Sequence, residues 1–148
     1  MENKYIISDT LQQLIDWENI MKMERCAGGH DEQMKGLFKD STVIGHWNGW
    51  NPYSMVATCV QLPDGRFAIY NDYYGTCSFC DCWEGASDED VKTLCINLSN
   101  GAYIFQSIED VKEYLGSINS KSTCFDWCNC AKPLLKEIKK GLKRKGIK

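Results

Sequence analysis

The sequence predicts an α+β fold, a small antiparallel sheet covered by helices. Residues 55–74 place Val, Thr, Phe, Ile and Tyr on both sides of Pro63-Asp64-Gly65, the pattern of a hairpin with its turn. Ala102–Gln106 adds a short strand. Apolar residues recur at helical spacing in three later segments, which supplies the covering layer. A chain of 148 residues is long enough to bury a core of this kind as one domain. The expected sheet has three or four strands.

In chain order, residues 9–25 read as an amphipathic helix. Ser8 or Asp9 can cap it, Leu11, Leu14, Ile15 and Met21 form its stripe, and Trp17 and Ile20 widen it. Gly28-Gly29 stops it, which argues against a metal pair from Cys26 and His30 despite their spacing. Asp31–Asp40 reads as a polar loop. Next, residues 43–53 interleave Trp47, Trp50 and Tyr53 with Asn, Gly and Pro, a composition that favours turns. This segment is either an aromatic-lined binding loop or a loop folded back over the sheet edge. His46 within it reads as a hydrogen-bonded structural residue.

The hairpin over 55–74 follows, with Cys59 in mid-strand as a small buried hydrophobe. Ser87-Asp88-Glu89-Asp90 opens a helix as a capping box, and Val91, Leu94, Cys95 and Leu98 give its buried face. Asn100-Gly101 ends that helix. Ser107-Ile108-Glu109-Asp110 repeats the capping pattern ahead of Val111, Leu115 and Ile118. Asn119–Thr123 is a polar linker. Pro133 then starts a basic helix whose apolar side is Leu134, Leu135, Ile138 and Leu142.

Charge divides the chain. Residues 132–148 carry eight basic side chains and one acid, Glu137. The whole chain is at −3, so residues 1–131 hold about −10. The expected organisation is therefore an acidic α+β domain over 1–131 and a basic helical tail over 132–148. Lys139, Lys140, Lys143, Arg144 and Lys145 have the density of a nuclear-import or nucleic-acid patch, because clustered cations displace counterions from phosphate. The acidic body predicts that such binding is weak, tail-dependent and sensitive to salt. A solvated helix face, or packing of the apolar stripe against a protein partner or a second copy, are the alternatives.

Cysteine carries the chemistry. Cys77, Cys80 and Cys82 follow the hairpin directly, and Cys124, Cys128 and Cys130 form a second cluster beside Trp127. The first eight residues lack an apolar export region, which predicts reduced thiols and an intracellular setting, cytoplasm or nucleus. No stretch reaches the ~18 apolar residues of a membrane span. Cys-x-x-Cys after a hairpin suits zinc, which takes four ligands in structural sites. Cys77, Cys80, Cys128 and Cys130 are one reasonable set, and six candidates leave the choice open. Disulfides, redox-active thiols and unligated cysteines also remain open.

The residues argue for a non-enzymatic protein ahead of an enzyme. There is no phosphate loop, paired-histidine metal motif or dinucleotide fingerprint. His30 and His46 are the two candidate bases, and neither sits in a nucleophile motif. The expected function is a metal- or thiol-stabilised interaction protein acting on protein or nucleic acid. The alternative is a thiol-dependent redox protein using the Cys77–Cys82 tract.

The tract Tyr74-Gly75-Thr76-Cys77-Ser78-Phe79-Cys80-Asp81-Cys82-Trp83-Glu84 resembles a Gly-Ser-Cys-Ser-Gly-Cys-Asp-x-aromatic-Glu signature. That signature belongs to small uncharacterised proteins, mostly of phages and large DNA viruses. Thr76, Phe79 and Cys82 depart from it. The resemblance implies a viral origin, with a place in the virion as one setting, and it implies no mechanism.

Overall fold

The computed structural model describes residues 5–7, 9–23, 30–49, 55–73, 86–118, 127 and 130–144. The fold is α+β. Strands β1 (Tyr5–Ile6), β2 (Thr42–Gly49), β3 (Met55–Gln61), β4 (Phe67–Tyr73) and β5 (Tyr103–Phe105) form one antiparallel sheet in the order β1-β5-β4-β3-β2. A 3-10 helix (Asp9–Leu14) and helices α1 (Trp17–Lys22), α2 (His30–Lys35) and α3 (Asp88–Gly101) cover one face. Helices α4 (Ile108–Ser117) and α5 (Ala131–Arg144) cover the other.

Alternation along the strands builds a core on each side. Val56, Val60, Ala68, Tyr70 and Ile104 point to the first face, where they meet Leu11, Ile20, Met34, Val91 and Cys95. Met55, Ala57, Cys59, Ile69 and Phe105 point to the second, against Val111, Leu115, Leu134 and Ile138. A fully buried Leu or Ile contributes about 1.5–3 kcal/mol.

The hairpin forms as its sequence requires. Gly65 takes a φ of +95°, the conformation that favours glycine, and its N–H donates to the Leu62 carbonyl at 2.9 Å. Beside it, Arg66 donates to the Asp64 carboxylate at 2.8 Å and holds that carboxyl below its usual range. The capping box at α3 is complete, with Asp90 N–H donating to Ser87 Oγ and Ser87 N–H donating back to Asp90. Ser107 caps α4 by accepting from Asp110 N–H at 3.2 Å.

Four local expectations differ from the structure. The sheet has five strands, because Tyr5–Ile6 pairs with β5 and Thr42–Gly49 pairs with β3. The single helix expected over 9–25 is instead a 3-10 helix followed by α1. Ile15 leaves the helical path to bridge Phe38, and Asp16 restarts it by accepting from Asn19 N–H at 3.2 Å. Within the expected loop 31–40 lies α2, which buries Gln33 and Met34 and is held by Tyr70 Oη donating to the Met34 carbonyl at 2.6 Å. The short strand runs 103–105, since Ala102 closes α3 by donating to the Ser99 carbonyl.

Strand β2 forms despite its turn-rich composition. Its register with β3 shifts between Val43 and Gly45, a β-bulge that turns both Ile44 and Gly45 toward α5. A β-carbon on Gly45 would come within 2.8 Å of Ile138. The backbone of Gly141 sits on the Ile44 carbonyl with no room for a β-carbon. Glycine on both sides therefore brings helix and strand together.

Candidate functional site

Helix α5 divides its side chains cleanly. Ala131, Leu134, Ile138, Gly141 and Leu142 are buried on the sheet. Lys132, Lys136, Lys139, Lys140, Lys143 and Arg144 are all exposed. These six cations follow the helix for about 18 Å at its standard rise. The acid among them, Glu137, is partly exposed and pairs with Lys140 at 3.4 Å. The segment set apart by its charge as a tail is, over its described part, a helix docked on the sheet. Its apolar stripe is occupied within the chain.

The start of α5 is anchored on β4. Cys130 is fully buried, and its carbonyl accepts the Leu134 N–H at 2.9 Å. Its Sγ accepts from Asn71 Nδ2 at 3.5 Å. Trp127, just before it, is buried near Tyr103 and belongs to the second core. Cys77 follows Asn71 by six positions, a span of at most about 20 Å of extended chain.

Cys77, Cys80, Cys82, Cys124 and Cys128 lie outside the described residues, as do Trp50, Tyr53 and Lys145. Among the described residues, no three His, Cys, Asp or Glu side chains are grouped to hold a metal ion. Of the other cysteines, Cys59 and Cys95 are buried free thiols. Burial pushes both thiols up from their ordinary range, and at Cys95 this outweighs a hydrogen bond from Gln33. Neither is suited to ionise and attack a substrate.

Trp47 lies on β2, half-buried, with its ring over Gly49, the next position on the same face. Glycine there makes room for the indole. Trp47 and the first turns of α5 border a cleft of about 400 Å³ lined by Lys132, Pro133, Lys136 and Glu137. A second cavity of about 610 Å³ shares Glu137 and continues along β2 to Lys35, Gly45, His46, Gly141 and Arg144.

A polar network on the opposite face of β2 was not legible as a unit. His46 Nδ1 lies 2.9 Å from Thr58 Oγ1, and His46 Nε2 lies 2.5 Å from Asp31 Oδ1. A carboxylate only accepts, so Nε2 carries a proton. Asn48 Nδ2 donates to both Asp31 oxygens at 3.0 and 2.8 Å. With both ring nitrogens engaged, His46 is a structural bridge between α2 and the sheet. The i, i+2 spacing of His46 and Asn48 on one strand face is the signal that could have found it.

Among the described residues, no helix is long and apolar enough to cross a membrane. No family model, no curated protein and no solved structure matches this chain.

Proposed function

We propose that this is a non-enzymatic interaction protein that binds nucleic acid along the outer face of α5. The observation that carries the reading is the division of that helix, with its apolar stripe buried on the sheet and six cations left outward. Because the stripe is occupied, α5 has no apolar face to lay into a lipid surface. An acidic remainder of about −10 repels phosphate elsewhere and leaves this face as the point of attachment. Affinity then depends on counterion release.

The test is fluorescence anisotropy with labelled DNA across a salt series. Replacing Lys136, Lys139, Lys140 and Lys143 together by Gln is expected to weaken binding. The slope of log affinity against log salt should become shallower by roughly 0.7–0.9 for each phosphate that the variant no longer neutralises. Unchanged affinity and slope would remove the proposal.

The cysteine clusters fit this role as a clamp on the helix. The hydrogen bond from Asn71 to Cys130 Sγ supports a thiol centre where β4 ends and α5 begins, with zinc as its candidate metal. In that case Cys130→Ser and Cys77→Ser lower both the metal content by elemental analysis and the melting temperature. Cys95→Ala acts as a core truncation and leaves metal content alone. Rapid disulfide cycling without stoichiometric metal would favour the redox reading instead.

A further inference from the structure

We infer that the cleft between Trp47 and α5 receives one unstacked base of a single strand, making single-stranded nucleic acid the preferred ligand. This rests on the proposed binding along α5 and goes beyond it by naming the form of the nucleic acid.

Walls and rim of this cleft differ in chemistry. The indole of Trp47 is its aromatic lining, with the pyrrolidine of Pro133 as a second apolar group. Its volume of about 400 Å³ leaves ample space for a single planar base. Lys132 and Lys136 stand one helical turn apart on the exposed side, placed for the phosphates that flank that base. Glu137 completes the lining. Its carboxylate repels phosphate and accepts from base N–H groups, so it turns the base inward and the backbone outward.

The larger cavity of about 610 Å³ shares Glu137 and leads on to Lys35 and Arg144. The two spaces both border α5 and β2, with Lys132 and Lys136 at the smaller and Lys35 and Arg144 at the larger. Stacking on an aromatic beside a basic track is the physics of sequence-tolerant single-strand binding. A duplex keeps its bases inside the stack, so it can use the lysines and leave Trp47 unused. An acidic peptide likewise matches the lysines but has no flat ring to place against Trp47 and Pro133 at each register.

The glycines of β2 and α5 fix this geometry. Gly45 and Gly141 set the distance between strand and helix, and Gly49 leaves room for the indole. The cleft is therefore built into the packing of the second core.

The experiment measures binding of a short single-stranded oligonucleotide, a duplex of the same sequence and a polyglutamate peptide. Native protein and Trp47→Leu are compared, with folding of each checked by thermal melting. The expected result is tighter binding of the single strand by native protein. Trp47→Leu should weaken single-strand binding by roughly 5- to 100-fold, and more than it weakens duplex binding. Equal losses for the two forms, or no loss, overturn the inference, as does polyglutamate binding with the same dependence on Trp47. If Trp47→Leu does not fold, photocrosslinking of native protein to an oligonucleotide carrying 5-iodouracil decides. A crosslink at Trp47 supports the inference, and crosslinks confined to residues outside the cleft overturn it. Failure of the underlying reading looks different: native protein then binds neither nucleic acid in a salt-dependent way.

Discussion

The backbone of Gly141 on α5 rests on the carbonyl oxygen of Ile44 in the bulge of β2. Helix propensity alone makes Gly141→Ala stabilising by about 1 kcal/mol. Packing predicts the opposite sign, because the added methyl collides with backbone rather than with a yielding side chain. We expect Gly141→Ala to destabilise by about 1–3 kcal/mol, the usual range for overpacking. Gly101→Ala is the control, since a β-carbon there meets nothing within 4 Å. Denaturant unfolding of the two variants checks this, and a stabilised Gly141→Ala would show that α5 does not sit so close to β2.

The same close approach marks where sequence reading stops. The hairpin, α3, α4 and α5 announce themselves because their signals are local: a Pro-Asp-Gly turn, two serine caps and apolar residues at helical spacing. Strand β2 has no such signal, since Gly45, Asn48 and Gly49 are poor strand formers. It is a strand because it pairs with β3 and because Gly45 admits Ile138, more than ninety positions away. The break at Ile15 has the same origin, a pairing with Phe38 that no local window contains. At the candidate site, the two-sided character of α5 was readable from period and charge. The link from Asn71 to Cys130 was not, because it joins residues 59 positions apart.

Stability should fall in alkaline solution. Burial pushes the Cys59 and Cys95 thiols above the ordinary 9.0, and burial with the nearby Cys59 pushes the Tyr70 phenol above 10.0. Each group stays protonated in the folded chain while its unfolded counterpart ionises. The unfolded state then binds fewer protons, so stability is full below the ordinary value and is lost as pH rises beyond it toward the folded one. Each group still neutral when folded removes up to about 1.4 kcal/mol per pH unit. Urea unfolding from about pH 8 to about pH 10.5 should show a steepening loss, and Cys59→Ala should flatten it. Constant stability over that interval would mean that these groups ionise without unfolding.

The network of Asp31, His46 and Thr58 gives the last test, because it ties α2 to the sheet through part-buried polar atoms. Thr58 is fully buried, and the His46 side chain is 15% exposed. Removing Thr58 Oγ1 or Asp31 leaves a His46 ring nitrogen without its protein partner in a place water reaches poorly, which costs about 1–3 kcal/mol. Thr58→Val keeps the shape of the strand residue and removes the hydroxyl facing His46 Nδ1. Asp31→Ala removes the acceptor shared by His46 and Asn48. We expect each to destabilise by about 1–3 kcal/mol. The double variant should cost less than the sum of the two, because His46 is already loosened by the first change. A coupling of about 0.5–3 kcal/mol in the double-mutant cycle is the expected size. Strict additivity would mean that Asp31 and Thr58 act on separate parts of the fold. His46 would then not be the bridge that holds α2 against β2 and β3.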